Sequence, residues 1–503
     1  MAVTSSQVGE YQISNASGIN EVWDLSDIYN VTRAVNSSQS TFSFKARLGK
    51  VIDYLAVDFN DLYTPSFESS GRVANQNIKG EIFKNVLGNT DDVDYLIITS
   101  NNYKSQAQKL ASFHQNNTGL KTKVVTLNEI YHEFSSGKQD VAAIRNLVKY
   151  VYSNAASDEK RLKYVCLFGG ASYDYKDRIP NNTNVVPVFH SINGFSLAST
   201  FMSDDFFGLM DTNEGTLQTL GGIDVAVGRM VFSNTSEAET VVNKVISYYA
   251  KESYGQWRND VVLLSDDVDA DWEAVIQQGL DDLGKTLSVE RPFVNVRKIH
   301  ADAYLQETSS GGQRYPEVRK EIVRTLEKGV LMLNYFGHGG EDGLAKERIL
   351  EKIDVQQLSN ANHLPLIITA TCEFSRFDDP SFLSAGERLV LNPTGGSIAM
   401  LTTVRLVFGG FGNNIGFSKN FFDQALDNST KNPYSLGDAM RITKVVSPMG
   451  SSFNSRKFSL IGDPATRLTL PKLKVKTNQI LVENEVNDTI KALSKVRIKG
   501  EIV

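Results

Sequence analysis

Gly329-Val330-Leu331-Met332-Leu333-Asn334-Tyr335-Phe336-Gly337-His338-Gly339-Gly340 and, after a polar insert, Leu364-Pro365-Leu366-Ile367-Ile368-Thr369-Ala370-Thr371-Cys372-Glu373 decide how this chain folds. Each is an apolar run of strand length that ends on a reactive side chain. The first ends at a histidine set among three glycines, the second at one of only two cysteines. Between them, Ile349–Ala361 carries Ile349, Leu350, Ile353 and Leu358 at roughly helical spacing. Strand, helix, strand predicts two parallel neighbours joined by a right-handed crossover. Their carboxyl ends share one edge of the sheet, where open α/β sheets bind ligands. His338 and Cys372 are therefore expected side by side.

The chemistry suits that placement. A thiol is a weak nucleophile until it loses its proton, and a neighbouring imidazole both takes the proton and holds the thiolate. The glycines around His338 let backbone amides approach a substrate. The amides of Gly339 and Cys372 are candidate donors to the oxyanion of a tetrahedral intermediate, at ~3–4 kcal/mol of barrier each. Taken singly, such a cysteine reads as buried and structural and such a histidine as a turn residue. Their pairing at two strand ends favours a nucleophile and its base.

The same residues carry a resemblance. Tyr335-Phe336-Gly337-His338-Gly339-Gly340-Glu341 followed by Ile368-Thr369-Ala370-Thr371-Cys372 resembles the His and Cys motifs of the gingipain family of cysteine peptidases, over roughly residues 92–471. Glu373–Pro380, Ser384-Ala385-Gly386-Glu387 and Thr402–Val407 are similar to a cell-surface sortase branch of that family, which serves type IX secretion. The resemblance implies a caspase-like α/β fold of two subdomains. It also implies cleavage of the C-terminal signal domain from secreted cargo, with lipopolysaccharide as a candidate acyl acceptor and other secretion components as partners. The site would face outward at the cell surface. The chemistry would need no cofactor, and the family leaves room for a structural calcium. In the family, an acid on the strand before a Gly-Arg pair binds the catalytic histidine. Asp224, before Gly228-Arg229, matches it, although the family often has Glu there. Read from its surroundings alone, Asp224 is equally an edge or loop aspartate in water, because an unpaired buried carboxylate is very costly.

Composition bounds the alternatives. A chain of 503 residues with 41% hydrophobic and 22% charged residues is an ordinary globular protein of two to four domains. A net charge of −6 and the lack of a Lys/Arg run argue against a nucleic-acid surface. Two cysteines exclude a disulfide framework, and Cys166, within Tyr164-Val165-Cys166-Leu167-Phe168, reads as an inert core residue. No run of about eighteen apolar residues spans a membrane. No export signal is visible at Met1-Ala2-Val3-Thr4, and Leu473–Val503 stops in mid-pattern, so a fragment of a longer exported protein is expected.

In chain order, residues 1–91 are expected to form a β-rich unit, with strands at Glu21–Leu25, Thr41–Leu48 and Tyr54–Val57 and a linker over Asn75–Thr90. Strand–helix alternation over 92–255 gives a first α/β subdomain. Its strands are Val93–Thr99, Thr122–Leu127, Lys163–Phe168 and Ile223–Arg229, and a serine-capped helix covers Ser236–Lys251. Alternation restarts at Asp260–Ser265, and 256–471 forms a second subdomain that carries His338 and Cys372. Residues 472–503 begin a further β-rich domain.

Glu373, Arg376 and Arg405 lie just past strand ends and are candidates to bind substrate, although ion pairs with Asp378, Asp379 or Glu387 are the better expectation for the arginines. Ser203–Gly208 is similar to a family loop near the cleft, or is a solvated acidic loop. Asp267–Trp272 opens like a calcium loop but has Trp272 and Gln278 where glycine and glutamate are needed, so it reads as a helix-capping turn. The other histidines have no clustered partners, which argues against zinc. Three readings stay open: a sortase-like acyl-transferase, a secreted endopeptidase, and a scaffold that keeps the fold without the chemistry.

Overall fold

The computed structural model describes residues 8–66, 75–215, 217, 221–408, 411–429, 433–447, 453–471, 473, 475–487, 489–490 and 492–503. The chain divides into two compact units at Asn75/Gln76. In the first, Val8–Ser14 pairs antiparallel with Thr41–Arg47, and Glu21–Asp24 lies between Thr32–Val35 and Tyr54–Val57. Alternation along these strands turns Val22 and Phe42 onto a small core with Ala16. The stretch expected as a linker belongs to the second unit. Gln76 Nε2 donates to Glu129 O at 2.6 Å, and Ile78 N to Glu133 Oε2 at 2.6 Å.

The second unit is built on one ten-stranded sheet. Its strands in chain order are β1 (Tyr95–Thr99), β2 (Thr122–Thr126), β3 (Tyr164–Phe168), β4 (Ala226–Met230), β5 (Asp260–Ser265), β6 (Asn295–His300), β7 (Met332–Phe336), β8 (Leu366–Ala370), β9 (Ala399–Thr403) and β10 (Phe458–Ile461). In space they run β6-β5-β7-β8-β9-β10-β4-β3-β1-β2. The inner strands such as β1, β3, β7 and β8 are fully buried because both faces are covered, whereas the edge strand β6 is polar and partly exposed. Tyr95 and Ile97 enter one apolar core, and Leu96 and Ile98 enter another.

Two parallel half-sheets meet head to tail. β6, β5, β7, β8 and β9 are mutually parallel, β10 is antiparallel to β9, and β10 is parallel to β4. The two expected α/β halves are thus one sheet, and a strand from the end of the second half joins the first. The carboxyl ends of β7, β8 and β9 therefore share an edge with the start of β10.

Local sequence explains the connecting helices. Asn234, not a serine, caps Thr235–Tyr248 through Glu237 N at 3.0 Å. Proline opens Pro316–Lys328. The crossover between β7 and β8 holds less helix than its spacing suggests. Only Lys352–Gln357 is helical, because Leu350–Glu351 joins a small sheet with Gly339–Gly340 and Gly343–Leu344. Val475–Val482, Glu485–Val486 and Val496–Ile502 form the three-stranded sheet near the end of the chain. Among the described residues, no helix is long and apolar enough to cross a membrane.

Candidate active site

β7 and β8 are parallel neighbours with Phe336 directly opposite Ala370. His338 and Cys372 each stand two residues further on, at matching positions past the same edge. The segments that carry them touch. A Cβ placed on Gly339 would come within 2.7 Å of Thr371 Oγ1, so only glycine lets the two strand ends close to this distance. Cys372 is part exposed, with Sγ 3.8 Å from Val407 O. Cys166 is buried within β3, and burial pushes its thiol up.

His338 is held from three sides. Its backbone N donates to Asp266 Oδ2 at 2.7 Å, its carbonyl accepts from Tyr335 Oη at 2.5 Å, and its Nε2 lies 2.8 Å from Glu273 Oε1. Glu273 is buried, and its other oxygen caps the preceding turn by accepting from Asp269 N and Ala270 N at 2.8 and 2.9 Å. Burial alone would raise its carboxyl. The bond to His338 and the two amides outweigh burial and hold it below its usual value. The imidazole thus has a fixed acidic partner, which sets its orientation.

The model of peptidase family C25 matches residues 89–469. The chain belongs to peptidase family C25. This is the gingipain family of cysteine peptidases. Among solved structures, the Arg-specific cysteine proteinase gingipain R (RgpB) matches with TM-score 0.55 and 17% identity, over 77% of this chain and 82% of that one. The complex of Porphyromonas gingivalis RgpB pro- and mature domains matches with TM-score 0.54 and 17% identity, over 80% and 92%. Dimeric latent PorU from Porphyromonas gingivalis matches with TM-score 0.54 and 21% identity, over 99% of this chain and 41% of that one, so the chain spans about two-fifths of PorU. At these identities the likeness establishes the caspase-like fold. Among curated proteins none matches significantly.

Within this C25 fold, Asp224 is not the partner of His338. Its carboxylate accepts from Met210 N at 2.8 Å, and burial pushes it up. It precedes β4, which lies four strand steps from β7, on the order of 19 Å at ~4.8 Å per step. The acid that meets the imidazole follows β5, the strand beside β7. Asp267–Trp272 leads into a capped turn, as its sequence predicts. Glu273, the residue that closes the cap, faces the histidine, which the local sequence does not reveal. Adjacency of β5 and β7 was the missing signal.

Arg376 and Arg405 are committed to ion pairs. Arg376 reaches Glu341 at 2.9 Å, Asp379 at 3.6 Å and Glu373 at 3.9 Å, and Arg405 pairs with the fully buried Asp378. Glu373 has a positive φ of 51°, and its N donates to Arg405 O at 3.4 Å. Glu341, Glu373 and Arg376 do line a cavity of about 580 Å³ between the Gly339–Glu351 hairpin segment and the residues after Cys372. Gly339 lies at the start of that hairpin. The Ser203–Gly208 loop is not solvated. Asp204 makes a two-point pair with Arg229 at 2.8 and 2.7 Å, and Asp205 binds Lys444 at 2.7 Å and Arg456 at 3.3 Å, all buried. Among the described residues, one group could hold a metal ion: Asp266, Asp267 and Glu347, whose carboxylate oxygens lie within 4.8 Å of one another. Burial raises the carboxyls of Asp266 and Glu347. These are hard oxygen donors of the kind calcium takes.

Proposed function

We propose that this chain is a thiol acyl-transferase acting on peptide bonds, in which Cys372 is the nucleophile and His338 the acid–base group. The observation that carries this reading is the matching placement of the two residues past neighbouring parallel strands. Nε2 is engaged by Glu273, so Nδ1 takes the thiol proton. The sulfur adds to the scissile carbonyl, and the amides of Gly339 and Cys372 face the oxyanion. The C–N bond then breaks, the imidazole proton goes to the leaving amine, and a thioester remains. Water or a second amine completes the reaction by the same route in reverse.

The sequence likeness to the sortase branch, and the match to PorU over nearly all of this chain, support a narrower role. The chain removes the C-terminal signal domain of cargo in type IX secretion at the outer face of the outer membrane. It passes the new terminus to water or to a lipopolysaccharide amine. No cofactor enters these steps. Asp266, Asp267 and Glu347 are where a structural calcium would sit.

The test is Cys372→Ala against a cargo protein that carries its signal domain. Cleavage is expected to vanish while the melting temperature stays within about 2 °C. Normal processing by the variant would exclude the mechanism. A panel of short fluorogenic peptides separates the roles: fast turnover without a signal domain marks a general endopeptidase instead.

A further inference from the structure

Three strand ends meet at the thiol. Cys372 follows β8, Leu406-Val407-Phe408 follows β9, and Lys457 directly precedes β10, whose reversed direction brings its start to this edge. Lys457 is 1% exposed. Its Nζ donates to Leu406 O at 2.8 Å and to Ala198 O at 2.5 Å, and it lies 4.2 Å from the centre of the Phe408 ring. The Cys372 sulfur rests on the next carbonyl of the same segment, that of Val407. An ammonium and a thiol thus hold consecutive peptide groups of one loop.

Every other charge on these segments has an opposite partner. His338 has Glu273, Arg376 has Glu341, Glu373 and Asp379, and Arg405 has Asp378 and also faces His190. Among the described residues no carboxylate pairs with Lys457; its hydrogen-bond partners are neutral carbonyls. Burial pushes it down to about 8, and Cys372 pulls it back up. A buried ammonium without a counter-anion is costly unless a negative charge forms beside it.

We propose that Lys457 is a positioning residue for the nucleophile: its fixed ammonium, clamped on the Leu406 carbonyl, stabilises the Cys372 thiolate. This rests on Cys372 being the nucleophile. The imidazole removes the proton, and the lysine supplies the positive charge beside the resulting anion. The cation also faces the sulfur when water or the second amine expels it from the thioester as a thiolate.

The experiment is the pH profile of iodoacetamide capture of Cys372, read by mass spectrometry on the full chain. Buried Cys166 does not compete. Lys457→Met is expected to slow capture about ten-fold at pH 7 and to move the profile about one pH unit upward, and Lys457→Arg to stay near the unmutated chain. Profiles of Lys457→Met and the unmutated chain that superpose, while that of His338→Ala differs, overturn the proposal and leave the His–Cys pair standing. A thiol in the unmutated chain that reacts no faster than free cysteine removes the nucleophile itself, and this inference with it. If Lys457→Met fails to fold, the converse is measured by following Lys457 Nζ by NMR in Cys372→Ser. Its midpoint is expected to fall by about half a pH unit relative to the unmutated chain. An unchanged midpoint overturns the proposal.

Discussion

Glu273 divides its two oxygens between structure and chemistry, one closing a turn and one holding an imidazole. Glu273→Gln keeps an acceptor for the turn but loses the anion that orients His338. In peptide-cleavage assays kcat is expected to fall about 10²-fold or more, with little change in melting temperature. Asp224→Asn, far from the imidazole, is expected to leave kcat within about two-fold. A second carboxylate sets a pH dependence. Glu387 is buried and accepts from Ser384 N at 2.9 Å and Ser384 Oγ at 2.6 Å. Burial pushes it up to about 7, the bonds to Ser384 opposing. Between about pH 4.5 and 7 the folded chain keeps a proton that the unfolded chain has lost. Stability therefore falls as pH rises through that window, by up to about 3 kcal/mol from this group. Urea unfolding at pH 5 and pH 8 checks this, and Glu387→Gln is expected to flatten the difference.

The small sheet after β7 keeps His338 in place, and it depends on one close approach. A Cβ on Gly343 would stand 2.0 Å from Leu350 O, a backbone atom that cannot swing aside. Gly343→Ala is expected to open this sheet and lower kcat/KM at least about ten-fold, while the ten-stranded sheet melts nearly as before. The elements most legible in the sequence were those with unbroken apolar runs. β7 and β8 pair in parallel as their sequences predict, but they end at Phe336 and Ala370, two residues before His338 and Cys372. The crossover holds less helix than its spacing predicts, because Leu350 pairs with Leu344 in the hairpin sheet and Ile349 N donates to Leu344 O. Glu273 and Lys457 were not legible. Their roles depend on which strands lie side by side, and strand order is a long-range property that no local spacing encodes. A family likeness placed the histidine's acid at Asp224, where local pattern fitted but sheet order did not.

Across the whole catalytic unit, buried charges tie distant parts of the chain together. Asp463, just after β10, accepts from Tyr95 Oη at 2.5 Å and from Thr466 Oγ1 at 2.6 Å, and lies 2.8 Å from His114 Nε2. Asp463→Ala strands these groups in the interior and is expected to cost about 3–5 kcal/mol in urea unfolding. The same seam gives β10 a further importance. It is among the last strands of the unit to be synthesised, yet it takes a central place between β9 and β4. A nascent chain that has already exposed its cysteine still has two incomplete half-sheets with unsatisfied edges. Lys457, which leads β10 into that gap, arrives with it. Closure of the sheet beside Cys372 therefore waits until the chain has been made as far as Ile461.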